Sequence, residues 1–269
     1  MVSTYLLAAA LALSPAQPTG LGFSNDRITL GGEFGPPRAE NKLLPGDRFF
    51  LAFDIEGLKL DEMNKASFTI GMTVADKSGN LVYEVKPARQ ETVLPLGGTK
   101  LPARAFMDTT PNMAAGEYVC RVMVKDLATN DSKTLEKKFE MLPKGFGVVS
   151  FYCSGDDKGE VPAPFMGVAG QAIWLHFVVV GFERAGNAAQ PDIEISFQTL
   201  DSNQKPTSPQ PRIFQVRQEI PENVLRIPIS LPLPLNRVGA YTIEIVAKDR
   251  LSNRNTKVTI PLTVLPTVK

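Results

Sequence analysis

Apolar and polar residues alternate along most of the chain, which is the period-two pattern of β-strands that bury one face. Turn-forming residues interrupt the alternation at short spacing. No stretch has a convincing helical period, although residues 58–65 are long enough for one or two turns of a helix. The pattern predicts seven strands in the first half of the chain, at 27–34, 48–57, 67–75, 81–86, 101–108, 117–125 and 133–142. It predicts seven more in the second half, at 147–153, 171–181, 192–200, 212–219, 224–231, 240–248 and 256–265.

The strand pattern of the first half recurs in the second. The segment PGDRFFLAFDIEGL at 45–58 matches AGQAIWLHFVVVGF at 169–182, with two glycines and the alternating apolar residues in register. GEYVCRVMVKD at 116–126 matches GAYTIEIVAKD at 239–249, and the strand at 67–75 matches the strand at 192–200. Because the matched segments follow in the same order, the sequence predicts two copies of one domain, residues 17–145 and 146–269.

Each copy carries a Gly-x-Tyr motif at the start of its sixth strand, with Tyr118 in the first copy and Tyr241 in the second. The motif resembles the tyrosine corner of immunoglobulin-like and fibronectin type III-like domains. Cys120 stands where immunoglobulin domains place a disulfide cysteine, but the strand at 48–57 has no Cys and Ile243 replaces Cys120 in the second copy. The resemblance is therefore to the broad bacterial immunoglobulin-like class. It implies an all-β fold of two tandem immunoglobulin-like Greek-key β-sandwiches, used for binding, spacing or presentation and seldom for catalysis.

The first residues of the chain resemble a secretory signal peptide. Residues 5–13, YLLAAALAL, form an apolar run that is shorter than the roughly 20 residues needed to cross a bilayer. Small residues at Ser14 and Ala16 favour cleavage before Gln17, which defines a signal peptide at 1–16. No Lys or Arg precedes the run, so an uncleaved apolar N-terminus or anchor is the alternative. We expect a secreted or periplasmic protein with no membrane span in the mature chain.

The charge of the chain is balanced. It has 29 basic and 28 acidic residues, a formal net charge of +1, and no block of like charges. Binding to nucleic acid or to an anionic membrane surface calls for clustered positive charge. We therefore expect neither nucleic acid nor a membrane surface among the partners.

Few residues suit catalysis or metal binding. The single histidine, His176, points outward on the predicted strand, and the sequence contains no Gly-x-Ser-x-Gly elbow and only two cysteines. The loop CSGDDKGE holds Asp156, Asp157 and Glu160, which suit calcium, but the EF-hand spacing is absent and a lysine stands among them. A solvated loop is the favoured interpretation. We expect no catalytic residue, no cofactor and no metal.

Two further pairs of residues have structural interpretations. Cys120 and Cys153 form a disulfide only if their Cα atoms approach within about 7 Å. Cys120 points inward in the first copy, whereas Cys153 lies near the first strand of the second, so a buried thiol at Cys120 is favoured and the pairing stays open. Asp126 and Asp249 each end a sixth strand, where aspartate commonly caps a turn by accepting hydrogen bonds from backbone amides.

The most unusual surface is the outward side of the strand at 171–181. An outward face is expected to be polar unless something covers it. Here it carries a stripe, hereafter the Trp174 stripe, of Trp174, His176, Val178 and Val180. The equivalent residues of the first copy are Phe50, Ala52, Asp54 and Glu56. Either the other domain, a loop or a terminus covers the stripe, or it binds a partner.

Three functions fit these features. The first is an exported, non-catalytic binding protein that recognises a protein or a cell-envelope component through the Trp174 stripe. The second is a structural spacer of the cell envelope. The third is an accessory or inhibitor module for an extracellular enzyme, with the Pro- and Gly-rich segment 93–102 as the projecting loop. Carbohydrate binding usually uses exposed aromatic platforms, and one Trp and five Tyr offer few of them.

Overall fold

The computed structural model of the protein describes residues 20–186 and 189–267, and the predicted signal peptide lies outside these residues. Within them the chain is all β, with no helix. The strands of the N-terminal half are β1 (Gly22–Ile28), β2 (Lys42–Leu43), β3 (Arg48–Glu56), β4 (Lys65–Asp76), β5 (Leu81–Val93), β6 (Lys100–Asp108), β7 (Gly116–Asp126) and β8 (Ser132–Met141). Those of the C-terminal half are β9 (Gly147–Ser154), β10 (Pro162–Ala163), β11 (Met166–Val168), β12 (Ala172–Val180), β13 (Ile193–Leu200), β14 (Arg212–Val216), β15 (Arg226–Pro234), β16 (Gly239–Asp249) and β17 (Arg254–Leu265).

The strands form four sheets, two in each half. The N-terminal half has a three-stranded sheet, in the order β1-β3-β6, and a five-stranded sheet, β2-β8-β7-β4-β5. The C-terminal half has a four-stranded sheet, β10-β9-β12-β15, and a five-stranded sheet, β11-β17-β16-β13-β14. Apart from the extra strand β10, the two halves have the same strand order. In both halves a short strand, β2 or β11, also pairs parallel with the last strand.

Each predicted strand has a counterpart, and the differences have local causes. The short strands β2, β10 and β11 were not predicted because two or three residues carry no periodic signal. β1 begins earlier than expected and ends at Ile28, because residues 29–37 leave the sheet as a loop. β5 continues to Val93 beyond Pro87, which sits in a bulge opposite Gly71. A side chain at Gly71 would contact the Pro87 ring at 2.9 Å, so glycine permits this approach.

The inward residues of the predicted strands form a separate hydrophobic core in each half. β3 contributes Phe49, Leu51, Phe53 and Ile55 to the N-terminal core, all of them buried. The equivalent residues of β12, Ile173, Leu175, Phe177 and Val179, are buried in the C-terminal core. The alternation of the sequence therefore assigns the faces of β3 and β12 correctly.

The two Gly-x-Tyr motifs make the same contact. The hydroxyl of Tyr118 donates a hydrogen bond to the carbonyl oxygen of Ala114 at 2.9 Å, and that of Tyr241 donates to the carbonyl of Arg237 at 3.0 Å. Each acceptor lies four residues before its tyrosine. The phenol thus ties the start of the sixth long strand to the loop that precedes it, as expected for a corner tyrosine.

The aspartates at the ends of β7 and β16 cap equivalent turns. Asp126 accepts hydrogen bonds from the backbone amides of Ala128, at 2.8 Å, and Lys59, at 2.7 Å. Asp249 accepts from Leu251 and from Glu183, the equivalent of Lys59 in the C-terminal half. Both carboxylates are buried. The predicted capping role is confirmed, and each aspartate also fixes the loop that follows β3 or β12.

Candidate binding site at the junction of the two halves

The Trp174 stripe is partly covered. Trp174 and Val178 are half-buried, whereas His176 is 7% exposed and Val180 is 2% exposed. The outward direction predicted for these residues is correct, but the accessibility that a partner would need is absent at His176 and Val180. Of the four predicted partner-binding residues, only Trp174 and Val178 keep accessible surface.

His176 is held by three neighbours on the outer face of its sheet. Its Nε2 atom lies 2.6 Å from the Ser154 hydroxyl, and its Nδ1 atom lies 3.1 Å from the Ser230 hydroxyl. The ring stacks on Tyr152 with centroids 4.6 Å apart. Ser154 donates its own proton to the carbonyl of Asp156, so the hydrogen-bond network assigns the imidazole proton to Nε2 and makes Nδ1 an acceptor from Ser230. A serine nucleophile would instead donate to the imidazole.

The environment of His176 favours the neutral ring. Burial lowers its pKa below the ordinary value, and the nearby Asp156 and Asp157 oppose this effect only in part. Because a neutral imidazole needs one donor and one acceptor, Ser154 and Ser230 satisfy both of its nitrogens. The stripe therefore contains a buried, hydrogen-bonded histidine between half-buried Trp174 and Val178.

The N-terminal half covers Val180 through a tight junction. A Cβ atom at Gly46 would lie 3.0 Å from a methyl group of Val180, and one at Gly31 would collide with the carbonyl oxygen of Phe151. Both glycines also have positive φ, 92° and 79°, which favours glycine at these positions. The absence of side chains at both points allows the halves to pack closely.

Asp47 links the two halves at the centre of this junction. It is 1% exposed and accepts hydrogen bonds from the backbone amide of Ser150, at 2.9 Å, and from the guanidinium of Arg38, at 2.6 Å. Ser150 has a positive φ of 56° and belongs to a bulge in β9, where the register with β12 shifts next to Phe177. The bulge turns the Ser150 amide out of its sheet and towards Asp47. A buried carboxylate with several donors fixes the relative position of the two halves.

Beside Asp47 the halves enclose an open cavity of about 240 Å³, hereafter the junction groove. Its walls are rich in aromatic and glycine residues from both halves. The N-terminal half contributes Gly31, Gly32, Glu33, Phe34, Gly35, Arg48, Phe50, Arg104 and Phe106, and the C-terminal half contributes Tyr152, Cys153, Gly159, Pro162, Ala163 and Phe165. Phe34 is 51% exposed and Phe106 is 44% exposed. Such half-exposed aromatic side chains in a concave site are typical of binding surfaces.

The arginines of the junction groove carry their own counter-ions. Arg48 makes a two-pronged pair with Asp108, at 2.7 and 3.0 Å, and its guanidinium lies 5.5 Å from the centre of the Phe106 ring. The hydrogen bond from Arg48 lowers the pKa of the Asp108 carboxyl. Arg104 pairs with Glu33. The groove therefore offers apolar and aromatic surface with balanced charge.

The other residues considered for chemistry have structural positions. Cys120 and Cys153 are free thiols, buried in different cores, and burial raises the pKa of each to about 12. Asp156 accepts hydrogen bonds from the amides of Glu160 and Val161, which closes the acidic loop as a turn. Among the described residues no group of three or more His, Cys, Asp or Glu is arranged to hold a metal ion.

No protein-family model matches the chain, and no curated protein matches its sequence. Among the solved structures that are similar to the chain are two of different coverage. The alkylpurine DNA glycosylase AlkC of Pseudomonas fluorescens, bound to DNA containing an abasic site analog, is 12% identical and aligns with 47% of this chain and 31% of its own, at a TM-score of 0.30. Dimeric latent PorU from Porphyromonas gingivalis is 8% identical and aligns with 97% of this chain and 22% of its own, at a TM-score of 0.38.

The chain spans less than a third of the length of either solved protein, and likeness at these scores carries no argument about function. Residues 20–186 and 189–267 also contain no helix that is long and apolar enough to cross a membrane.

Proposed function

We propose that the protein is an exported, non-catalytic binding protein built of two tandem immunoglobulin-like β-sandwiches, which recognises a protein or a cell-envelope component. The repeated strand order, the two corner tyrosines and the two capping aspartates support the tandem architecture. The signal-like residues 1–16 support export.

The observation that carries the binding function is the junction groove. It places half-exposed Phe34 and Phe106 beside Tyr152 from the other half, in a cavity of about 240 Å³. Buried aromatic anchors with arginines near them are the residue types that dominate binding energy at protein interfaces. Because Asp47 fixes the junction, the groove is formed before a partner arrives, which lowers the entropic cost of binding. Half-buried Trp174 and Val178, which are not part of the groove lining, offer further apolar surface on the C-terminal half.

A capture experiment tests this function. The mature chain, residues 17–269, is used as bait in an envelope extract of the producing organism, and the captured protein is then titrated against the bait by calorimetry. Phe34→Ser removes the most exposed aromatic side chain of the groove and should weaken binding at least about tenfold, as expected for an interface anchor. Trp174→Ala tests the stripe in the same assay.

Met63→Ser is the matched control, because Met63 is 79% exposed and lies outside the groove. It should bind like the wild type. A partner that binds the Phe34→Ser and Trp174→Ala variants as tightly as the wild type would exclude both the groove and the stripe as its site.

Two alternatives each have an observation in their favour. The buried link of Asp47 to Ser150 and Arg38 suits a structural spacer, which needs a rigid junction and no ligand. Leu96, in the turn between β5 and β6, is 99% exposed on the projecting loop, which suits an accessory or inhibitor module for an extracellular enzyme. Leu96→Ser tests the accessory or inhibitor alternative, because only a protein that binds through this loop would lose its partner through the substitution.

A further inference from the structure

The N-terminal half has a strand edge with unused backbone groups. Among residues 20–186 and 189–267, β6 pairs only with β3. Just beyond the two ends of β6, the backbone N–H of Thr109 donates to the backbone carbonyl of Asp47 at 2.9 Å, and the backbone N–H of Gly57 donates to the backbone carbonyl of Thr99 at 3.2 Å. Because bonded and non-bonded pairs alternate in an antiparallel ladder, odd-numbered residues of β6 bond to β3 and even-numbered ones point their N–H and C=O groups away. Arg104, Phe106 and Asp108 therefore present backbone donors and acceptors at a free edge.

The equivalent edge of the C-terminal half is blocked. Leu235 N–H bonds to Gln171 at 2.8 Å, so the even-numbered residues of β15 face its free edge. Three of them are prolines, Pro228, Pro232 and Pro234. Proline has no N–H and cannot donate to an added strand. β6 carries proline only at Pro102, the equivalent of Pro228.

Other edges of the described sheets are interrupted or short. β5 has two register shifts against β4, and Pro87 lies in one of them. β1 has a shift between Ser24 and Arg27, and β14 has only 5 residues. Bulges, prolines and short length are the usual devices that prevent strands from pairing at an edge. β6 has 9 residues, its segment from Arg104 to Asp108 contains no bulge and no proline, and the even-numbered residues of that segment are exposed.

The same segment is complementary to itself. In an antiparallel pair centred on Phe106, each Arg104 stands opposite Asp108 of the other chain, and the two Phe106 rings are neighbours. Opposite charges and aromatic rings directly across a strand pair are stabilising. Within one chain Arg104 already contacts Glu33 and Asp108 contacts Arg48, so the pairing would produce a row of alternating charges.

We propose that β6 is a dimer interface, at which two copies of the chain pair antiparallel about Phe106. The two sheets of the order β1-β3-β6 then join into one continuous sheet across a two-fold axis. Each residue pair, Phe106 with Phe106 and Arg104 with Asp108, exchanges two backbone hydrogen bonds. Edge pairing uses groups in the plane of the sheet, so it does not require the junction groove or its ligand.

Analytical ultracentrifugation of the mature chain over a range of concentrations tests the dimer. The wild type should change from the monomer mass to twice that mass as concentration rises. Phe106→Pro removes the central outward N–H, which makes no hydrogen bond within the described chain, and should raise the dimer Kd about 100-fold or more. Because Pro232 occupies the equivalent place in β15, the variant should keep a melting temperature close to that of the wild type.

Phe106→Ala is the matched control, since it removes the ring and keeps the N–H. It should still form a dimer, with a smaller rise in Kd. A wild type that stays monomeric, or a Phe106→Pro variant that still forms a dimer of wild-type affinity, overturns the proposal. If the wild type stays monomeric, a strand of another protein would be the remaining candidate for pairing with the β6 edge.

A cross-linking measurement tests the register of the proposed β6–β6 pair, and it does so even if the Phe106→Pro variant fails to fold. Residues that face each other in a bonded antiparallel pair have Cα atoms about 5.5 Å apart, within disulfide range. Phe106→Cys should therefore form a disulfide-linked dimer under mild oxidation, because the native thiols Cys120 and Cys153 are buried. Leu96→Cys, at an exposed loop, should react far more slowly. Equal cross-linking of both variants would contradict the proposed pairing.

Discussion

The outer faces of β3 and β12 occupy equivalent places in the two halves, yet they are covered in different ways. On β3, Phe50 and Ala52 are buried, and Glu33 from the loop after β1 reaches across to Arg104 on the same face. On β12, Val180 is covered by the N-terminal half and His176 by Tyr152 of the neighbouring strand. The N-terminal half thus uses its own loop, whereas the C-terminal half combines its own Tyr152 with the junction.

The inner contacts of the two halves differ much less. Tyr118 and Tyr241 bond to the carbonyl four residues upstream, and Asp126 and Asp249 cap the same turn. Positions that are alike in both halves serve folding, because each half needs the same corner and the same turn. Positions that differ, on the outer faces and at the strand edges, are where the binding and pairing proposals arise.

The capping aspartates give the largest expected effect and test whether the halves are equivalent. Asp126→Ala leaves at least two backbone amides near a buried site without an acceptor, which should cost about 3 kcal/mol of unfolding free energy. Asp249→Ala should cost at least as much, because Asp249 also accepts from the Ser252 hydroxyl at 2.6 Å. Urea unfolding followed by thiol labelling measures both, since Cys120 reports the N-terminal core and Cys153 the C-terminal core.

The expected result is selective. Asp126→Ala should expose Cys120 at lower urea than Cys153, and Asp249→Ala should reverse that order. Asp→Asn at either position is the control, because the amide keeps one acceptor oxygen and should lose less stability. If both thiols react together in every variant, the halves unfold as one unit and their comparison as separate domains fails.

The sequence predicts much of what is alike in the halves, because those features are local and periodic. Alternation of apolar residues is enough to assign the buried faces of β3 and β12, and the recurrence of Asp126 as Asp249 indicates a cap. These features depend on residues close in sequence or on a pattern that repeats every second residue.

The junction could not be predicted in the same way. Asp47 meets Ser150, which is 103 residues later and turned outward by a bulge that has no periodic signature. The junction groove depends on Phe34, in an irregular loop, and on Tyr152. The sequence predicts the strand that contains Tyr152, but not which parts of the chain pack against it. For the Trp174 stripe, alternation gives the direction of the side chains but not what covers them. Cover by the other domain, a loop or a terminus was one of the two alternatives, but the sequence could not show that His176 and Val180 are the buried members and that Trp174 and Val178 keep accessible surface.

The corner tyrosines provide a test of intermediate size. Tyr118→Phe removes the hydroxyl of a buried tyrosine, which donates to the carbonyl of exposed Ala114, and should cost about 1 kcal/mol. Tyr241→Phe should cost about half of that, because Tyr241 is half-buried and water can replace part of its contact with Arg237. Thermal unfolding of the two variants, each serving as the control for the other, measures the difference. A larger loss at Tyr241 would show that the corner of the C-terminal half contributes more than its burial suggests.

The smallest expected effect is a pH dependence confined to the C-terminal half, because His176 is replaced by Ala52 at the equivalent position. Burial lowers the pKa of His176 in the folded chain, so the unfolded chain binds more protons near the ordinary His value of about 6.5. Its contribution to stability is therefore complete above that pH and declines as the pH falls through 6.5 towards the lowered folded value. Urea midpoints from Cys153 labelling should decrease between pH 7.5 and about pH 5.5, with the rates corrected for thiolate fraction, and those from Cys120 should change less.

His176→Gln keeps a donor and an acceptor but does not titrate, so it should flatten the Cys153 profile. A profile that is unchanged by His176→Gln would show that His176 is not the source of the pH dependence.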